Sequence, residues 1–197
     1  MRKLYWISNA VWVASALVHA DDISVGFPGY GGNGCPQGSA SATLSPDAKQ
    51  LSILFDSYVV EANASKRIDR KSCNLAIPIH VPNGISVSIL RVDYRGFNGL
   101  PAGASSTLTA EYFLADRQGP RFTRDFWGAQ DRDYYESNSL AAVGVVWTPC
   151  GRDTNLRINS SIRVRTNAAG QQAMSTVDSV DLSAGLVYHL QFRRCTI

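Results

Sequence analysis

The sequence predicts an all-β protein: an antiparallel β-sandwich carrying two disulfides, with a small β-barrel as the alternative. Three observations predict it. Apolar and polar residues alternate along most of the chain, most cleanly where Leu156, Ile158, Ile162 and Val164 interleave with Arg157, Asn159, Ser161, Arg163 and Arg165. The alternating runs are bounded by turn chemistry at Ser45-Pro46-Asp47, Pro82-Asn83-Gly84, Pro101-Ala102-Gly103 and Pro149-Cys150-Gly151. Helical spacing is nearly absent, and its one candidate, around residues 62–72, carries a charge run instead of an apolar stripe. Nine or ten short strands are expected. A chain of 197 residues with 45% hydrophobic and 18% charged residues excludes a disordered tail and a polytopic membrane protein.

At the start, Arg2 and Lys3 precede an apolar run from Leu4 to Val18, and Val18-His19-Ala20 precedes the acidic Asp21-Asp22. This is the pattern of a secretory signal peptide, residues 1–20, cleaved after Ala20. Ser8 and Asn9 interrupt a run already shorter than the roughly 20 apolar residues a membrane span needs. The expected mature protein is one domain, residues 21–197, secreted or extracellular, or periplasmic in a Gram-negative cell, with no membrane span. Loss of Arg2 and Lys3 lowers the formal charge from +3 to +1, which argues against a dedicated nucleic-acid binder.

Along the mature chain, the glycine-rich stretch Gly26 to Gly34 lacks a Gly-Lys-Ser/Thr ending and precedes strands, so it reads as a disulfide-tethered loop and not a phosphate cradle. Strands are expected at Leu51, Ile53 and Phe55; at Leu75, Ile77, Ile79 and Val81; at Leu108, Ala110, Tyr112 and Leu114; at Val143, Val145 and Trp147; and over Leu186 to Arg194. From Ile85 the apolar set runs Ile85, Val87, Ile89 and then Leu90, Val92, Tyr94, a parity switch that predicts a β-bulge at Ile89-Leu90.

Cys35, Cys73, Cys150 and Cys195 are an even number in an exported chain, without Cys-x-x-Cys spacing, so structural disulfides are expected and not a zinc site or a catalytic dithiol. Three pairings are possible. Treating the strands around Cys73 and before Cys195 as antiparallel neighbours favours Cys73 with Cys195, and hence Cys35 with Cys150. Alternation opposes this, because Cys73 shares a face with Leu75 and Ile77 while Cys195 shares one with His189 and Gln191.

No catalytic, cofactor-binding or metal-ligating residue is assigned. His80 and His189 both alternate toward the polar side of their strands, lie in no nucleophile-elbow pattern, and read as surface histidines. Asp93, Glu111, Asp125, Asp131, Asp133, Asp178 and Asp181 could supply paired carboxylates, but spacing alone does not select a pair. Asp131 and Asp133 fall in a stretch read as a polar loop, without an EF-hand pattern, and turn solvation is their default reading.

The candidate binding surface combines two groups. Trp127, Tyr134 and Tyr135 belong to an aromatic cluster that exposed rings would turn into a sugar-stacking platform, against which stands ordinary core packing. Arg157, Arg163 and Arg165 line one side of a strand and, with Lys66-Arg67-Ile68-Asp69-Arg70-Lys71, make a local basic surface for an anionic glycan, lipid headgroup or polymer. The competing explanation is a charged strand edge that discourages aggregation.

Five segments carry a resemblance: Gly34-Cys35-Pro36-Gln37-Gly38-Ser39, Asn74 to Pro82, Val92-Asp93-Tyr94-Arg95-Gly96, Trp147-Thr148-Pro149-Cys150-Gly151, and Tyr188 to Cys195. In these the chain resembles a family of secreted bacterial and fungal proteins known as domain of unknown function 4360. The resemblance covers nearly the whole mature chain with all four cysteines and implies an exported, disulfide-bonded all-β domain without an established activity. At Trp127-Gly128-Ala129 the chain departs from it, lacking a proline after the glycine. The expected function is non-enzymatic binding of carbohydrate, cell-envelope polymer or a protein partner. The alternatives are a small secreted hydrolase using paired carboxylates and a structural or inhibitory protein.

Overall fold

The structure is a computed structural model and describes residues 23–140, 145–177 and 186–195. The segment read as a signal peptide lies outside the described residues. Among the described residues thirteen strands form two antiparallel sheets, and neither closes into a barrel. The first sheet holds β1 (Ser24–Val25), β2 (Gly29–Gly31), β6 (Ile68–His80), β8 (Ser105–Leu114), β9 (Arg117–Trp127) and β11 (Thr154–Arg165). The second holds β3 (Ala40–Leu44), β4 (Gln50–Phe55), β5 (Val59–Ala62), β7 (Ile85–Leu100), β10 (Gln130–Ser139), β12 (Ala173–Thr176) and β13 (Leu186–Arg194).

Alternation fixes which face of each strand is buried. On β11 Leu156, Ile158, Ile162 and Val164 enter the core, in one cluster with Leu51, Ile53, Val92 and Leu186 from the second sheet's strands and with the buried rings of Tyr58, Tyr94, Tyr112 and Tyr188. Burial pushes the Tyr58, Tyr112 and Tyr188 hydroxyls far above the ordinary tyrosine range. The expected bulge is present: His189 pairs Arg91 while Leu190 pairs Ile89, which leaves Leu90 as the extra residue, turned outward.

Three expectations fail. The first is the disulfide pairing: the bonds are Cys35–Cys73 and Cys150–Cys195. The strands assumed to be neighbours lie in different sheets, since β6 pairs β1, β2 and β11 whereas β13 pairs β4 and β7. The glycine-rich stretch instead runs beside β6, with Gly31 opposite Asn74 and the Gly34 amide donating to the Ser72 carbonyl, which brings Cys35 to Cys73. Cys150 and Cys195 meet over the start of β7, where the Gly151 amide donates to Ile85 and the Cys195 amide to Gly84. Second, residues 130–139 are a strand and not a loop, with Asp131 and Asp133 on β10 opposite Gly99 and Phe97. Third, the strand expected through Val143, Val145 and Trp147 is not one in its described part. Trp147 makes an isolated bridge to Ser88, and Val143 lies outside the described residues.

The candidate binding face and a buried carboxylate hub

The outer side of the first sheet is read in rows across β6, β11, β8 and β9. Ile68, Arg165, Ser105 and Trp127 form one row, followed by Arg70, Arg163, Thr107 and Asp125, and then by Ser72, Ser161, Thr109 and Thr123. Asn74, Asn159, Glu111 and Arg121 come next, then Ala76, Arg157 and Phe113. Four of the six residues nominated from sequence therefore share a face: Trp127, Arg157, Arg163 and Arg165. Trp127 is 68% exposed and lies two strands from Arg165, about 10 Å across the sheet. Gly128 follows it because a Cβ there would fall 1.9 Å from the Pro101 carbonyl oxygen.

Tyr134 and Tyr135 lie elsewhere. Tyr134 is 8% exposed, packs its ring 4.6 Å from that of Phe126 and donates its hydroxyl to the Thr176 carbonyl, so it is a core residue. Tyr135 is exposed, but on the outer side of the second sheet with Arg95 over its ring.

The arginines do not guard an edge. β11 is hydrogen-bonded on both sides, to β6 and β8, so the aggregation-protection explanation fails for Arg157, Arg163 and Arg165. Beside Arg163 is a shallow groove of about 320 Å³, floored by Ser161 and Thr109 and bordered by Arg70, Arg163, Arg121 and Thr107. Its floor is organised. Ser161 and Thr109 hydroxyls lie 2.8 Å apart, the Arg70 guanidinium donates to Ser161 at 3.2 Å, and Thr107 donates to Asp125 at 2.7 Å. Arg157 stacks over Phe113 at 5.2 Å. Sequence reading found the β11 arginines but missed Thr107, Thr109, Thr123 and Arg121, although Thr107, Thr109 and Glu111 are the polar half of the β8 alternation.

The second sheet's outer side holds an unanticipated cluster. Asp93 on β7 is buried, and its carboxylate accepts hydrogen bonds from Ser137 at 2.7 Å and from His189 Nε2 at 2.6 Å, with Arg91 Nε at 3.2 Å and Tyr135 also contributing. Desolvation alone would raise the Asp93 carboxyl, but these donors and the Arg91 charge outweigh it and hold the group below the usual carboxylate range. His189 is thus not the surface residue expected, its side chain being 19% exposed, whereas His80 is solvent-facing and paired with Asp153 at 2.8 Å. Ser137 donates to Asp93 and not to His189, so the three residues do not form the nucleophile–base–acid relay of a hydrolase.

A second depression, about 710 Å³ and open, is lined by Phe97, Gly99, Leu100, Gln130, Asp131 and Met174. Among the described residues no group of three His, Cys, Asp or Glu side chains converges to hold a metal, and no helix is long and apolar enough to cross a membrane.

These features define a disulfide-braced β-sandwich with one open, basic, hydroxyl-floored face. The chain belongs to the family described as domain of unknown function (DUF4360), whose model matches residues 21–195. An uncharacterized secreted protein of Arthroderma benhamiae is 34% identical over 170 residues, spanning 85% of this chain and 69% of that protein. With the two disulfides, this relationship places the protein outside the cell. Among solved structures, the module TmCBM61 in complex with β-1,4-galactotriose overlaps 85% of this chain and 88% of that one, at 12% identity and a TM-score of 0.29. A GH31 α-xylosidase from Xanthomonas citri overlaps 89% of this chain and 21% of that one, at 8% identity and a TM-score of 0.20. Overlaps at this level carry no argument about fold or ligand.

Proposed function

We propose that the mature chain, residues 21–197 after removal of a signal peptide, is a non-enzymatic binding protein. Its ligand is an extended extracellular polysaccharide that lies across the outer face of the first sheet. The observation that carries this reading is the location of Arg157, Arg163 and Arg165 on a central strand, on the same exposed face as Trp127. An open sheet face presenting hydroxyls, guanidinium groups and one solvent-facing indole matches a polymer that offers ring faces and many hydroxyls.

Several features favour binding over glycoside hydrolysis. A glycosidase needs a carboxylic acid held protonated near neutrality, whereas the buried carboxyl of Asp93 is held below the ordinary range by its hydrogen-bond donors and Arg91. On the candidate face Asp125 is engaged by Thr107, and Glu111 lies 3.6 Å from Arg121. The family match begins at residue 21, directly after the proposed cleavage point. A polysaccharide array read for both retention and released sugar tests the proposal. Retention without hydrolysis, weakened in Trp127→Ala, is expected; released oligosaccharide would contradict it.

A further inference from the structure

Arg70 and Arg163 are direct cross-strand partners on the open face. Like charges directly opposite one another destabilise a sheet, and among the described residues neither guanidinium has a carboxylate within ion-pair distance. The nearby acids are occupied: Asp125 by the Thr107 hydroxyl, Glu111 by Arg121, and Asp69, which precedes Arg70, by Lys66 and the Glu61 amide. Arg165, one row further along β11, is likewise exposed and without a carboxylate partner among the described residues. The free protein therefore holds an uncompensated pair of cations side by side over a floor of hydroxyls, an arrangement whose repulsion a bound anion removes.

We infer that the polysaccharide is acidic, and that a carboxylate or sulfate on one of its sugars sits over Ser161 and Thr109, bridging the guanidinium groups of Arg70 and Arg163. The planar guanidinium fork presents paired donors that match the two oxygens of such a group. The Thr109 and Ser161 hydroxyls complete the anion's hydrogen bonds, and Arg165 flanks the site for charges on neighbouring sugars. This inference rests on the polysaccharide-binding reading of the same face and adds the ligand's charge and the residues that read it.

The test uses the mature, disulfide-bonded protein against immobilised polygalacturonate and alginate as carboxylated polymers, dextran sulfate as the sulfated one, and dextran as the neutral control. Binding to an acidic polymer, absent with dextran and weakened by salt, is expected. Arg163→Gln should lower affinity about tenfold and the Arg70→Gln, Arg163→Gln pair about a hundredfold, as loss of charge-assisted hydrogen bonds implies. Both variants should melt at the same or a higher temperature than the parent, because the cross-strand repulsion is relieved. That opposition of affinity and stability separates a ligand-reading pair from one that merely supports the fold. The carboxylated and sulfated arms identify the anion. Retention on dextran with affinity unchanged in the arginine variants would overturn the inference and leave the binding reading standing, while retention on no polysaccharide would overturn both. Equal competition by single-stranded DNA would reduce the site to general polyanion attraction and overturn it as well.

Discussion

The outer faces of the two sheets are built by the same alternation yet treat charge in opposite ways. On the second sheet Asp93 is buried beneath Ser137, His189, Tyr135 and Arg91, and its negative charge is satisfied inside the molecule. On the first, Arg70 and Arg163 face each other in the open with hydroxyls beneath them and without a carboxylate. A polar cluster that satisfies itself works as a cross-link between strands, here β7, β10 and β13. A cluster left with surplus charge is available to something outside the chain. The nature of each polar face, and not its polarity as such, distinguishes scaffold from site.

The largest losses of stability are expected from the disulfides, one at β6 of the first sheet and one at the end of β13 in the second. Cys35–Cys73 and Cys150–Cys195 span 38 and 45 residues, so replacing either pair by serine should cost about 3–4 kcal/mol in chemical denaturation. Next in size is the contrast between the two faces. Asp93→Asn should cost about 1–3 kcal/mol because it disturbs a buried, fully engaged acceptor, while Arg163→Ala should stay within about 0.5 kcal/mol. Equal losses from both would erase the distinction between scaffold and site.

A pH titration sharpens it. The folded-state pKa of Asp93 is depressed, so its contribution is fully present above the unfolded carboxylate value near 4 and is lost as pH falls through the folded value. The melting temperature should therefore drop below about pH 4, and drop less steeply in Asp93→Asn. The smallest effect is expected at His80, whose exposed pair with Asp153 should be worth no more than about 0.5 kcal/mol, so His80→Ala should melt almost as the parent does.

Strand identity was legible wherever burial is one-sided. β11 and the shift at Leu90 follow directly from where the apolar residues fall. β9 and β10 were not legible, because they are bonded along one side only and much of each face meets solvent. On β10 Tyr134 is the one buried residue, so no alternation survives to be read. The cystine pairing was lost for another reason: local periodicity says which face a residue takes but not which sheet its strand joins. The inward parity of Cys73 against the polar parity of Cys195 is the signal in the sequence that these two do not pair. Half of the site was visible as the arginines of β11. Arg70 was legible within the basic run 66–71, but its place opposite Arg163, and the β8 threonines beside them, follow only from pairing between strands far apart in the chain; on the second sheet the contact of Asp93 with His189, 96 residues apart, arises in the same way.

On the proposed reading, ligand lies on the outer face of the first sheet. Amide chemical-shift mapping of the mature protein titrated with oligogalacturonate tests it most directly. Perturbations gathered at Thr107, Thr109, Thr123, Ser161 and Arg163 are the predicted result. Perturbations gathered instead around Phe97, Gly99 and Asp131 on the second sheet would contradict it.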